Sequence, residues 1–182
     1  MKARQAGYSL TEMLTVVAIV GLLALVTVPS FITFYQSNKV KTSVRNFVTD
    51  LRACRQLAIS TGKQTKLGYN TGPTGTRSYT LYQGDSAFGL VQGATWKVLP
   101  NNRGVKFLDD VIYFPAKTNA SPQDFTDYDQ DGDLDLVFYP DGAVKMPPAS
   151  LSAAAVTIQT DQNVPKRQYQ IILSPSGKVS TR

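Results

Sequence analysis

Three hydrophobic patterns divide the chain. The first is a run from Met13 to Val28, nearly all apolar and broken only by Thr15, Gly21 and Thr27. It lies inside a stretch from Met13 to Asn38 that carries no charge. At about 1.5 Å of rise per helical residue, Tyr8–Ser30 covers roughly the hydrocarbon thickness of a bilayer, which predicts a membrane helix within residues 8–38. The second pattern has helical period. Val40, Val44, Phe47, Val48, Leu51 and Ala58, with Cys54 or Leu57, recur at three- and four-residue spacing. This predicts an amphipathic helix half over residues 39–62, its apolar stripe packed on a sheet. Gly62 is the expected stop, and Pro29 is expected to bend or locally melt the helix. After Gly62 the period changes to two. "TKLGY" and "SYTLYQ" flank "NTGPTGTR" as a hairpin. "TWKVL", "GVKFL", "VIYF", "LDLVFY", "AVKM", "AVTIQT", "QYQIILS" and "KVSTR" follow as strand candidates, with turns at Pro140–Gly142 and Pro175–Gly177. The pattern predicts an α+β fold: a long N-terminal helix, half transmembrane and half amphipathic, packed on an antiparallel β-sheet domain over residues 63–182.

Composition narrows the function. The 182 residues suffice for one domain with a core plus one extra element. A single cysteine, Cys54, excludes an intramolecular disulfide and reads as a small core residue rather than a nucleophile. The absence of histidine removes Ser-His-Asp and Cys-His catalysis and the commonest metal ligand. With no Walker A, zinc-spacing or nucleophile-elbow pattern either, an enzyme is not expected. The net charge of +6 is uneven. Lys39, Lys41, Arg45, Arg52, Arg55, Lys63 and Lys66 face one acid, Asp50, over residues 39–66. Such a stretch can meet phosphates or anionic lipid, or simply solvate a helix face.

The start of the chain is more specific. A basic "MKARQ" is followed at once by "AG", and the apolar run comes after it, so a cut after Gly7 would remove the charges and keep the helix. Glu12 is the lone carboxylate in the apolar stretch, and a charge at such a place marks function by default. Gly7 before the cut, aromatic Tyr8 as first mature residue, Glu12 as fifth, and Pro29 within the helix resemble the prepilin leader and helix of type IV pilins and type II secretion pseudopilins. The resemblance implies a leader over residues 1–7, cleavage after Gly7 by a prepilin peptidase, and methylation of Tyr8. It also implies pairing of Glu12 with the N-terminal amine of a neighbouring pilin or pseudopilin subunit. It places the anchor in the inner membrane and the globular domain in the periplasm. "LRACRQLAISTGKQTKLGY", "FYPDGAV" and "ILSPSGKVSTR" are similar to the minor pilins and pseudopilins of the FimT and pseudopilin H type. That likeness implies a minor pilin of a type IV pilus, or the equivalent minor pseudopilin of a type II secretion system.

Two constellations remain. In "DFTDYDQDGDLDLVFYPDG", Asp127, Asp129 and Asp131 alternate before Gly132, and Asp133 and Asp135 continue the spacing. This is the first half of an EF-hand-type loop, and these five aspartates are candidate ligands for Ca2+. The twelfth position is Phe138 rather than a bidentate glutamate, so a solvated Asp-rich turn is the alternative. At the other end, Lys178 and Arg182 in "PSGKVSTR", with Lys166 and Arg167, are candidate contacts to DNA phosphates. Charge that protects a sheet edge explains them equally well.

Overall fold

The computed structural model describes residues 8–71, 77–86, 95–100, 104–108, 112–147, 152–160 and 167–182. Among these residues one helix, α1 (Leu10–Thr61), is followed by nine short strands. By contacts the chain divides after Asn38 into two compact units.

In the first unit every described side chain from Tyr8 to Tyr35 is exposed. Leu10, Leu14, Val17, Leu22, Leu25 and Phe31 point outward all round, as a segment solvated by lipid or by other helices would require. The segment hides its polar atoms within itself: Thr15 Oγ1 donates to Thr11 O at 2.8 Å and Thr27 Oγ1 to Leu23 O at 3.0 Å. The helix is unbroken through Pro29, so the expected local melting does not occur. Proline removes one backbone donor, and the bonds of the turns on either side keep the helical path.

In the second unit the helical stripe becomes the core. Val40, Val44, Phe47, Val48, Leu51, Cys54 and Ala58 are buried, and Leu57 is only half-buried, so Cys54 is the stripe member. Gly62 ends the helix in the left-handed region at φ +65°, its N–H donating to Ala58 O at 3.0 Å.

The strands form two antiparallel sheets rather than one. The first contains β1 (Thr65–Tyr69), β2 (Ser78–Gln83), β3 (Lys97–Val98), β4 (Val105–Phe107) and β6 (Leu134–Phe138), with β1 between β2 and β6. The second runs β5 (Ile112–Tyr113), β7 (Ala154–Thr160), β8 (Gln168–Leu173), β9 (Val179–Thr181). "AVKM" makes no strand, only a bridge between Val144 and Phe138. Gln123 ties the sheets: its Oε1 accepts from Tyr69 of β1, and its Nε2 donates to Thr157 O of β7 at 2.8 Å. Tyr79 Oη of β2 donates to Asp50 of the helix at 2.7 Å.

Strand β1 is buried along its whole length, on both faces. Leu67 and Tyr69 join the core, where Leu67 sits opposite Leu81 and Leu136. Lys66 and Gly68 point the other way, since strand side chains alternate. The segment before β6 folds over that outer face: a Cβ on Gly68 would lie 3.4 Å from Asp133.

Candidate functional site

Three places bear on function. The first is the start of α1. Ser9 caps the helix, its Oγ accepting the Glu12 N–H at 3.2 Å and its carbonyl the Met13 N–H at 3.2 Å. Ser9 and Glu12 have the spacing of a capping box, a signal for this cap that the filament resemblance of the same residues overshadows. Glu12 also lies in the first helical turn, where the helix dipole favours a carboxylate. Tyr8 precedes the cap, exposed. Gly7 lies outside the described residues.

The second place is the aspartate loop. Asp127 organises its backbone: Oδ1 accepts the N–H of Gln130 at 2.6 Å and Oδ2 that of Gly132 at 2.9 Å. Gly132 has φ +95°, and Gln130, at φ 64°, is the one non-glycine with positive φ among the described residues. Asp135 lies on β6, fully buried, its Oδ2 accepting the Tyr128 N–H at 2.9 Å. Carboxylate oxygens of Asp127, Asp129, Asp131 and Asp135 come within 4.8 Å of one another. Asp133 is not among them; it lies over Gly68.

At the centre stands a residue that no local pattern places there. Lys66 of β1 is fully buried, and its Nζ meets Asp129 Oδ2 at 2.6 Å, Asp131 Oδ2 at 2.7 Å and Asp135 Oδ1 at 3.0 Å. The rings of Tyr82 and Trp96 flank it, their centroids 4.8 and 5.5 Å from Nζ. Burial works against the charged ammonium. The hydrogen bonds to Asp129 and Asp131 and the charge of Asp135 outweigh it, so the Lys66 pKa rises. Burial pushes Asp135 up to about 7 despite Lys66, and Asp133 is raised by burial and then by Asp131. At Asp131 burial is overcome by Lys66 and the carboxyl falls below its ordinary value. The directions share one cause, carboxylates gathered around a buried ammonium.

This donor set does not fit calcium as it stands. Calcium takes six to eight oxygens at about 2.3–2.6 Å. Here three carboxylates direct an oxygen at an ammonium, and both oxygens of Asp127 accept from the loop's own backbone.

The third place is a pair of adjoining grooves beside α1, sharing Arg52 and Val179. One, of about 590 Å³, is lined by Lys41, Arg45, Arg52 and Tyr169 among others. The other, of about 640 Å³, is lined by Arg52, Arg55 and Lys178. The structure thus brings Lys178 to the helix cations rather than to Arg182 and Arg167. Lys178 follows the turn between β8 and β9, Arg182 pairs with Gln170, and the Arg167 N–H bonds Thr160 Oγ1 at the other end of β8. Lys166 lies outside the described residues. Arg55 is a structural clamp. Its Nε donates to Gly142 O at 3.0 Å and its Nη2 to Ser176 O at 3.1 Å, so one guanidinium holds both turns against the helix. Gly177, at φ +78°, passes so close that a Cβ there would meet Gly142 O at 2.2 Å.

Comparison with known proteins accords with this architecture. A search of curated protein sequences gave no match. Among solved structures, the minor pseudopilin EpsH of the Vibrio cholerae type II secretion system is similar at a TM-score of 0.51 and 16% identity. That match covers 80% of this chain and 96% of EpsH, and it shows the shared fold. The type IV minor pilin FimU of Pseudomonas aeruginosa gives a TM-score of 0.49 and 12% identity over 82% of this chain and 92% of its own. The prokaryotic N-terminal methylation motif matches residues 2–28, and the type II transport protein GspH model matches residues 43–177, most of the chain. The chain belongs to the GspH family, the minor pseudopilins and pilins.

Proposed function

We propose that the chain is a minor structural subunit of a pilin-like filament, stored in the inner membrane with its β domain in the periplasm. In this reading a prepilin peptidase cuts after Gly7 and methylates Tyr8, and the exposed apolar helix then moves from lipid into a bundle of neighbouring subunits. The observation that carries the reading is the first unit itself. Its apolar side chains are outward on every side and no charge but Glu12 lies between Tyr8 and Asn38. The methylation-motif match supports the same segment. In an apolar bundle Glu12 would be costly alone and is offset by a neighbour's N-terminal amine, which fixes axial register more than it adds net stability.

The Ser9–Glu12 spacing also suits a capping box, and a side-chain cap can be separated from pairing with an amine. Glu12→Gln keeps the capping-box chemistry but removes the charge. If pairing with an amine drives assembly, Glu12→Gln and Glu12→Ala should both insert in the membrane and both be depleted from filaments. Incorporation of Glu12→Gln at the wild-type level would leave Glu12 a helix cap only. The measurement is immunoblotting of sheared or crosslinked filaments. The same fractions assign the machine. Presence in surface pili marks the minor pilin of a type IV pilus. Absence there, with loss of an exported protein from the medium when the chain is deleted, marks the pseudopilin of a type II system, the machine named by the matched family.

A second reading, capture of DNA, has one observation in its favour: Lys178 and Arg52 line one groove, and Arg52, Arg45 and Lys41 line the groove that adjoins it. Phosphate binding needs such a row of cations along one face.

A further inference from the structure

The aspartate spacing of the loop suits a calcium ion, while the folded chain supplies an ammonium. Four carboxylates with oxygens within 4.8 Å would repel one another strongly unless a cation stood among them. Lys66 reaches that point from β1, the strand between β2 and β6. Its three contacts of 2.6–3.0 Å are ammonium–carboxylate distances, and Tyr82 and Trp96 flank it. It is covalently attached, so it competes with free cations at a high effective concentration. To enter, calcium would have to expel a fully buried charged side chain from beneath the loop.

We propose that Lys66 is the permanent cation of this loop. Its ammonium takes the place of the divalent ion for which the D-x-D-x-D-G spacing is suited, so the loop stays ordered without calcium. Removing the ammonium frees the oxygens of Asp129, Asp131 and Asp135 to hold a calcium ion. Asp129 Oδ1, buried without a hydrogen-bond partner among the described residues, is an oxygen ready for such an ion. This holds whichever filament the chain serves.

The test uses the full chain in detergent, with calcium, magnesium and terbium as probes. Wild type should melt at the same temperature in millimolar calcium as in chelator, and should give no sensitised terbium emission. Lys66→Met and Lys66→Gln leave the carboxylates uncompensated. In chelator they should melt about 10 °C lower, the usual consequence of removing one partner of a buried ion pair in a chain of this size. Calcium should restore part of that loss and magnesium less, and terbium should emit on excitation of Trp96 and Tyr82. A wild-type melting temperature that rises in calcium would overturn the proposal. So would two folded variants that ignore calcium. If neither variant folds, acetylation of wild-type amines decides. Lys66 equally unreactive in calcium and in chelator supports the proposal, and calcium-induced labelling of Lys66 overturns it.

Discussion

Arg55 shows how much of this domain turns on single side chains. Two turns distant in sequence, after Tyr139 and after Ser174, present carbonyls to one guanidinium on the helix. Its removal leaves both carbonyls without a charged donor, so Arg55→Ala should cost about 2–3 kcal/mol. Gly177→Ala attacks the same corner from the other side. It combines a positive φ with a Cβ 2.2 Å from a backbone oxygen, and should cost at least about 2 kcal/mol. The two changes share partners, so together they should cost less than their sum. Denaturant melts of the two single variants and the double variant check this. Full additivity would mean that the corner is not one unit. The glycine was legible in the sequence as part of a turn. Arg55 was legible only as one of seven basic residues, because nothing local distinguishes a cation that solvates a helix from one that reaches carbonyls 87 and 121 residues away.

At the scale of elements, the helix and the longer strands follow from periodicity. The stripe from Val40 to Ala58 is buried as spaced, and "TKLGY" and "SYTLYQ" are β1 and β2, paired antiparallel. What periodicity could not supply was company. The alternation in "TKLGY" marks a strand but cannot say that an aspartate loop covers its outer face, so Lys66 looked like a surface cation. "AVKM" has strand character but forms only an isolated bridge, Val144 to Phe138, and the Lys145 N–H bond to Val137 O. The basic groove is likewise a product of packing, since α1 supplies Lys41, Arg45 and Arg52 and the start of β9 brings Lys178. With Arg55 committed to the turns, about three or four cations can reach phosphate. DNA binding should therefore be weak and independent of sequence, with a log–log salt slope of about −3 to −4 on duplex DNA. A fluorescence titration at two salt concentrations measures the slope. Arg52→Ala with Lys178→Ala should make it shallower by about two. Equal binding by wild type and the double variant would reduce the groove to a solvated helix flank.

For the whole molecule, contacts divide the chain into two compact units, Met1–Asn38 and Lys39–Arg182. Among the described residues the first unit buries no side chain from Tyr8 to Tyr35, whereas the second holds a core that includes Phe47, Leu51, Leu67, Leu136, Ile158 and Ile171. That contrast is what a filament subunit requires: a domain that folds by itself and a segment whose apolar surface is completed by other molecules. The most direct test is the mass of the N-terminus of the protein purified from membranes of its native host. It should begin at Tyr8, carry one added methyl group on the amine, and retain the apolar helix behind it. An intact Met1 terminus, or a cut beyond about residue 25 that discards the helix in the manner of an ordinary secretory signal, would contradict a filament subunit assembled through this segment.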